Sequence, residues 1–156
     1  MKKSFPNIRL RRLRANSSIR NLVRENVLSP FDLIQPLFVI EGKNKIEKIR
    51  SMPSITRMSI DNIVKEVKVL KKLGIQAIAL FPYISKKLKN LSGSESYNQK
   101  GLIQNCIQEI KDKVNDMIII SDIALDPYTS HGQDGILDKN GKILNDETIE
   151  ILVNQS

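Results

Sequence analysis

Hydrophobic residues recur in parts of the chain at the spacing of an amphipathic helix. Between Ser59 and Gly74, apolar residues stand at i, i+3, i+4 and i+7, which predicts a helix that Ser59 caps and Gly74 ends. Residues 101–114 repeat this pattern, and a further helix is predicted to begin at Asp146. The chain therefore has helices with one face suited to a hydrophobic core.

Three continuous apolar runs alternate with these helices. Residues 33–40, 75–81 and 117–125 are short and rich in Ile, Leu and Val, as buried strands are. Pro36 predicts an irregular or edge-like start for the first strand, and Pro82 is predicted to end the second. Strands separated by helices pair in parallel, and strands that are apolar throughout favour a sheet covered on both faces.

The order of elements predicts the α/β class and the amino-terminal part of a (β/α)₈ TIM barrel, with about three βα units. Residues 41–58 are expected to form a loop with a small hairpin, and residues 136–144 a second hairpin. A complete barrel takes roughly 250 residues, whereas this chain has 156. We therefore expect a basic arm with a short helix over residues 1–28 and an incomplete, truncated barrel domain over residues 29–156.

Positive charge is concentrated at the amino terminus. The formal net charge is +8, and residues 1–24 contain eight cations and no acid, which leaves 17 of the 25 cations against 17 acids. Asn16 or Ser17 is expected to cap the short helix of the arm. No apolar run reaches the ~18 residues of a membrane span, and the only cysteine, Cys106, lies on an apolar helix face. These features predict a cytoplasmic protein with a buried cysteine.

Polar groups gather where two of the strands end, which is where parallel α/β folds bind ligands. Phe81 stands at the end of the second strand. Alternation along the third strand places Asp122 and Asp126 on one side, and Asp134 lies eight residues further on, next to glycines that could make a mobile lid. Asp-Pro and Asp-Gly also occur in structural turns, so a plain turn is the alternative to a site. His131 is expected to be an exposed loop residue.

The segment 122–135 resembles the active-site loop of the porphobilinogen synthase family, also called 5-aminolevulinate dehydratase. Six other stretches are similar to the same family in the same order, namely residues 9–14, 28–30, 36–39, 51–53, 79–82 and 144–148. Where many members have three zinc-binding cysteines, this chain has Ala124, Asp126 and Asp134. The resemblance extends over essentially the whole chain and indicates an aspartate-type member.

The resemblance implies condensation of two 5-aminolevulinate molecules to porphobilinogen, with two Schiff-base lysines on strands beyond this chain, so the chain alone is expected to be inactive. It implies that Asp122 supports those lysines. Asp126 and Asp134 would contact substrate, a cation or water through the lid, and Phe81 would line the substrate pocket. Mg²⁺ is the expected metal, in place of three-cysteine zinc, with its ligand downstream and no certain ligand here. The arm would join subunits into a homo-oligomer, an octamer in the family.

Two alternatives stay open. An inactive half-barrel could be an interaction module that docks onto full-length subunits, because the sheet edge after the third strand would be free. The basic arm could bind nucleic acid, but it has few aromatic residues and no recognition fold, so neither nucleic acid nor a membrane is an expected partner. The lysines of the first amphipathic helix are expected on its solvated face, namely Lys65, Lys68, Lys71 and Lys72.

Overall fold

The computed structural model describes residues 4–8 and 10–156. Lys2, Lys3 and Arg9 of the basic arm, and with Arg9 the start of the 9–14 stretch, therefore lie outside the described residues. The helices and strands are α1 Ser17–Val23, β1 Ile34–Ile40, β2 Ile46–Lys48, β3 Thr56–Met58, α2 Ile60–Lys72, β4 Ala77–Tyr83, α3 Leu102–Lys113, β5 Ile118–Ser121 and α4 Asn145–Gln155. Short 3₁₀ turns occupy Arg12–Arg14, Pro30–Asp32 and Ser94–Tyr97.

One five-stranded sheet, in the order β2-β3-β1-β4-β5, organises these elements. β1 pairs in parallel with β4 along its whole length, and β4 pairs in parallel with β5. β2 and β3 form the expected antiparallel hairpin, and β3 also joins β1 in parallel through Phe38 and Val39. The α/β class and the three alternating βα units are confirmed, whereas the attachment of the hairpin to the main sheet was not predicted.

The predictions made from the two prolines of the sheet had different outcomes. Among the described residues, β1 has no partner before Phe38 on the side away from β4, so the edge-like start predicted from Pro36 is confirmed. The prediction that Pro82 ends its strand is wrong, because β4 continues to Tyr83 with Pro82 opposite Val39. β5 pairs with β4 only as far as Leu80, and a residue without an N–H is tolerated where a strand has a free side.

Helices α2 and α3 cover one face of the sheet and form the core with it. Along each strand alternate side chains point to this face, and Val39 and Ile78 are fully buried there. The core includes Leu37, Val39, Ile78 and Leu80 from the sheet, Ile63, Val64, Val67 and Leu70 from α2, and Ile103, Cys106 and Ile110 from α3, with Val114 and Met117 from the segment between α3 and β5. Cys106 is buried as predicted, and its burial raises the pKa of the thiol to about 12.

The opposite face of the sheet is apolar but largely open. Ile34 is 55% exposed and Ile118 58% exposed, while Phe38 and Phe81 meet in the middle with ring centroids 5.6 Å apart. The expectation of a sheet covered on both faces is therefore not met within the described residues. An uninterrupted apolar strand is equally suited to the packed interior of a barrel, which needs no covering helix.

The helix starts and turns agree with their predicted positions in most respects. The side chain of Asn16 accepts a 2.9 Å hydrogen bond from the Ile19 N–H and caps α1. Ser59 is the residue before α2, but its hydroxyl accepts the Lys45 N–H and donates to Asp61 instead of capping the helix. Gly74 follows α2 with φ +87°, a left-handed geometry that favours glycine. Within the described residues, no helix combines the length and apolarity that crossing a membrane requires.

Candidate functional site

The candidate site lies at the carboxyl ends of β4 and β5, where two loops meet. The β4 loop comprises residues 84–101 and the β5 loop residues 122–135. The Ser130 N–H donates to the Asn90 carbonyl at 2.9 Å, and the Asn90 N–H donates to the Tyr128 carbonyl at 3.3 Å. These backbone bonds join the two loops into one surface.

The first half of the β5 loop is firmly packed. Leu125, Tyr128 and Thr129 are buried, and Gly93 of the β4 loop approaches so closely that a Cβ there would lie 3.4 Å from the Thr129 methyl group. In contrast, Gly132 has φ +72° and open space around it. A mobile lid therefore stays a prediction for the stretch around Gly132, whereas the preceding residues form a fixed base.

The three aspartates of the β5 loop share one electrostatic neighbourhood. Asp122 directly follows β5 and does not lie within it, so the strand alternation used to orient these acids ends at Ser121. Burial raises the pKa of Asp126, the charges of Asp134 and Asp122 raise it further, and the Lys89 ammonium acts in the opposite direction. The structure thus brings the predicted acids together, with all three residues exposed to solvent.

Asp134 folds back onto the first half of its own loop. Its Oδ1 atom accepts a 2.6 Å hydrogen bond from the N–H of Leu125, a residue with no exposed surface. One carboxylate oxygen of Asp134 therefore holds the loop closed, a structural role that the sequence did not predict.

Phe81 and Tyr83 lie on the open face of β4, one towards the middle of the sheet and one at its rim. Phe81 is half-buried against Phe38. Tyr83 is exposed, and the Arg57 guanidinium stacks 4.2 Å from the centre of its ring. Glu47 accepts a hydrogen bond from Arg57 at 3.4 Å and fixes that guanidinium. The open face thus carries aromatic residues from its middle to the carboxyl end of β4, while the role of Phe81 as a pocket wall stays a prediction.

A cavity of about 410 Å³ opens between the two loops. Its walls include Lys86 and Lys89 from the β4 loop and Ser130 and His131 from the β5 loop. None of these residues was predicted as a site residue, although the run of lysines directly after a strand end is a signal that could have pointed to them. His131 is half-buried, which corrects the expectation of an exposed loop residue, because the joined loops enclose it.

The part of the chain that the structure describes offers no preformed metal site. It holds no group of three His, Cys, Asp or Glu side chains placed to bind one ion. A three-cysteine zinc site does not fit this loop, because Ala124, Asp126 and Asp134 occupy the corresponding positions and the only cysteine is buried in α3. Carboxylates suit hard cations such as Mg²⁺, but these three would have to be completed by ligands from elsewhere.

Comparisons with known proteins agree on one family. A family model described as delta-aminolevulinic acid dehydratase matches residues 7–156. The delta-aminolevulinic acid dehydratase of Bradyrhizobium diazoefficiens is 47% identical over 149 residues, which are 96% of this chain and 42% of the relative. That of Chlamydia pneumoniae is 47% identical over 146 residues, 94% of this chain and 44% of the relative.

A solved structure has the same fold over this region. The crystal structure of delta-aminolevulinic acid dehydratase (porphobilinogen synthase) from Toxoplasma gondii ME49, in complex with the reaction product porphobilinogen, superposes with a TM-score of 0.90 at 42% identity. The match takes in 95% of this chain and 42% of that TIM-barrel chain. The chain thus spans less than half the length of the relatives it matches.

Proposed function

The chain belongs to the delta-aminolevulinic acid dehydratase family, a family of lyases, and on that premise we propose that it forms the amino-terminal part of a porphobilinogen synthase. The proposed reaction joins two 5-aminolevulinate molecules, with loss of two waters, to give porphobilinogen for tetrapyrrole and haem synthesis in the cytoplasm. The observation that carries the proposal is the acidic β5 loop at the rim of an open apolar sheet face, in a chain that matches the family from residue 7 to residue 156.

The proposed roles follow from position. Phe81 and its partner Phe38 give the substrate pocket an aromatic wall on the open face of the sheet. Asp122, at the carboxyl end of β5, stabilises positive charge that develops on the substrate amine or on a Schiff base beside it. Asp126 and the free oxygen of Asp134 contact substrate, a cation or water at the mouth. The pKa of Asp126 is raised by burial and by the charges of Asp134 and Asp122, so its carboxyl group holds a proton more readily than an isolated aspartate does.

The Schiff-base lysines of the proposed reaction lie outside this chain. A Schiff-base lysine works as an amine with a lowered pKa in an apolar pocket, whereas the α2 lysines are exposed, and Lys65 and Lys71 bond to Asn62 and Asn115. We therefore propose that the isolated chain does not turn over 5-aminolevulinate. Mg²⁺ is the proposed metal of the complete enzyme, with ligands beyond these residues.

A chimera tests the function directly. Residues 1–156 would be fused to the remaining part of the Bradyrhizobium relative, and porphobilinogen would be measured colorimetrically. We expect turnover by the chimera, none by the isolated chain, and a kcat at least tenfold lower for Asp122→Asn if the carboxylate stabilises developing charge. Asp112→Asn, on the exposed surface of α3, is the matched control. A folded chimera without turnover would refute the function, and turnover by the isolated chain would refute its inactivity.

The arm supports a proposed homo-oligomer, an octamer by family resemblance. α1 buries none of its residues, and Leu10, Leu22 and Leu28 are 92%, 84% and 78% exposed. Large exposed apolar side chains on an extended segment mark a contact surface. Light scattering after size-exclusion chromatography of the chimera should show a smaller assembly when Leu10 and Leu22 are replaced by Ser. An unchanged mass would argue against a role for the arm.

A further inference from the structure

The cavity between the β4 and β5 loops carries positive charge. Lys86 and Lys89 both line it, and within the described chain neither forms a salt bridge. One opposing charge is Asp126, whose pKa Lys89 acts to lower. Two cations therefore line the cavity, and none of its described lining residues is acidic, which favours a small anion there.

The β5 loop adds neutral groups that can bind oxygen atoms. The backbone of Ser130 is fixed by the bond from its N–H to the Asn90 carbonyl. Its hydroxyl donates to no other group in the described residues, so it is available at the cavity wall. The Thr129 hydroxyl is already committed, because it donates to the Gln133 carbonyl at 2.8 Å.

His131 contributes a hydrogen-bond donor that lacks an acceptor. Its Nδ1 atom accepts the Gln133 N–H at 3.1 Å, which requires Nδ1 to be unprotonated and assigns the ring proton to Nε2. That Nε2 atom is buried and has no partner among residues 4–8 and 10–156. An orphaned donor of this kind points to an acceptor that the described residues do not supply.

We propose that this cavity binds a compact oxyanion, a phosphate or a short carboxylate. Lys86 and Lys89 supply the charge, and Ser130 and His131 supply the neutral donors. Both anions present several acceptor oxygens in a small volume, which matches a site built from two ammonium groups and two neutral donors. The inference goes beyond the proposed function, because it requires neither turnover nor residues outside this chain.

His131 provides a specific readout, because it is the only histidine in the chain. In ¹⁵N NMR spectra at pH 8 the free protein should show a ring protonated at Nε2. Titration with inorganic phosphate and, separately, with acetate should shift its signals saturably, while sodium chloride at the same ionic strength should not. A response to phosphate alone identifies a phosphate site, and a response to acetate identifies a carboxylate site.

Lysine variants test whether the anion binds in this cavity. Lys86→Gln combined with Lys89→Gln should weaken the apparent affinity by about tenfold or more, because two charge-assisted contacts are lost. Lys87→Gln is the matched control, since Lys87 lines a neighbouring cavity and not this one. Amide spectra establish that each variant is folded. A ring protonated at Nδ1, no saturable response to either anion, or equal affinity in the double variant would each overturn the proposal.

Discussion

Replacing Asp134 by Ala removes both its charge and the hydrogen bond that closes the β5 loop. Its carboxylate accepts the N–H of Leu125, which has no exposed surface. Removing the acceptor leaves a buried donor unsatisfied, which costs about 1–3 kcal/mol. That range corresponds to a roughly 5- to 150-fold rise in the opening equilibrium of the loop, at 1.36 kcal/mol per factor of ten.

Hydrogen exchange at the Leu125 amide measures this opening. Under conditions where exchange follows local opening, the amide should exchange about 5- to 150-fold faster in the Asp134→Ala variant. Asp134→Asn keeps an acceptor oxygen without the charge, so it should lose less, because a neutral hydrogen bond contributes about 0.5–1.5 kcal/mol. Protection of the Leu125 amide is therefore expected to be highest with Asp134, lower in the Asp134→Asn variant and lowest in the Asp134→Ala variant.

Asp122→Ala is the matched control. The carboxylates of Asp122 and Asp134 both raise the pKa of Asp126, but in the described residues only that of Asp134 accepts a backbone N–H from this loop. Both substitutions should lower the pKa of Asp126, measured by ¹³C NMR of its carboxyl group, while only Asp134→Ala should accelerate Leu125 exchange. Equal exchange in the two variants would refute the assignment of Asp134 as the residue that closes the loop.

Three further predictions concern pH, reactivity and packing. The pKa of Asp126 is raised in the folded state, so its ionisation opposes folding; Asp126→Asn should be the more stable protein at pH 7 in urea titrations, with the difference fading as the pH falls below the ordinary carboxyl range. The thiol of Cys106 has a pKa of about 12, so iodoacetamide at pH 8 should modify it only in denatured protein, as read by mass spectrometry. Gly135→Ala places a methyl group 2.9 Å from Ile143 Cγ2, which should lower the free energy of unfolding by about 1–3 kcal/mol. Gly141 has no atom within 4 Å of an added Cβ, but its φ is +78°. Gly141→Ala should therefore lower the free energy of unfolding only through backbone strain.

The spacing of apolar residues predicted the helices well, because each helix packs against the core through an apolar face formed by its own residues. The residues of α2 that enter the core, including Ile63 and Val67, follow the helical period, and Gly74 marks its end. The third strand was predicted too long, since Ile123 to Leu125 continue the apolar run although β5 ends at Ser121. Leu125 is buried by the β4 loop, a contact between distant segments that no local pattern contains.

For a similar reason, the sequence predicted the acidic residues of the candidate site but not the residues that line its cavity. Asp122 stands out because it falls inside an apolar run, and Asp126 and Asp134 because the family resemblance places them where many members have zinc-binding cysteines. Lys89 and His131 belong to different loops, and they share a cavity only because Asn90 bonds to the backbone of the β5 loop. This proximity depends on two loops that meet in space, so the spacing of residues along the sequence does not reveal it.

Leu80 and Phe81 are adjacent in β4, but they lie on opposite faces of the sheet and pack against different surroundings. Leu80 is 1% exposed and packs beneath the helices, so its size is set by close packing in the core. Phe81 points to the other side, meets Phe38 across β1 and β4, and stays half-buried on the open face. In the sequence both residues belong to one apolar run, and that run predicted a sheet covered on both faces. The interior of a barrel and the underside of a helix layer select for the same residue types, so hydrophobicity identifies the strand but not what each of its faces will meet. Only the polar residues that follow Tyr83, the last residue of β4, indicate which face of the sheet leads to the candidate site.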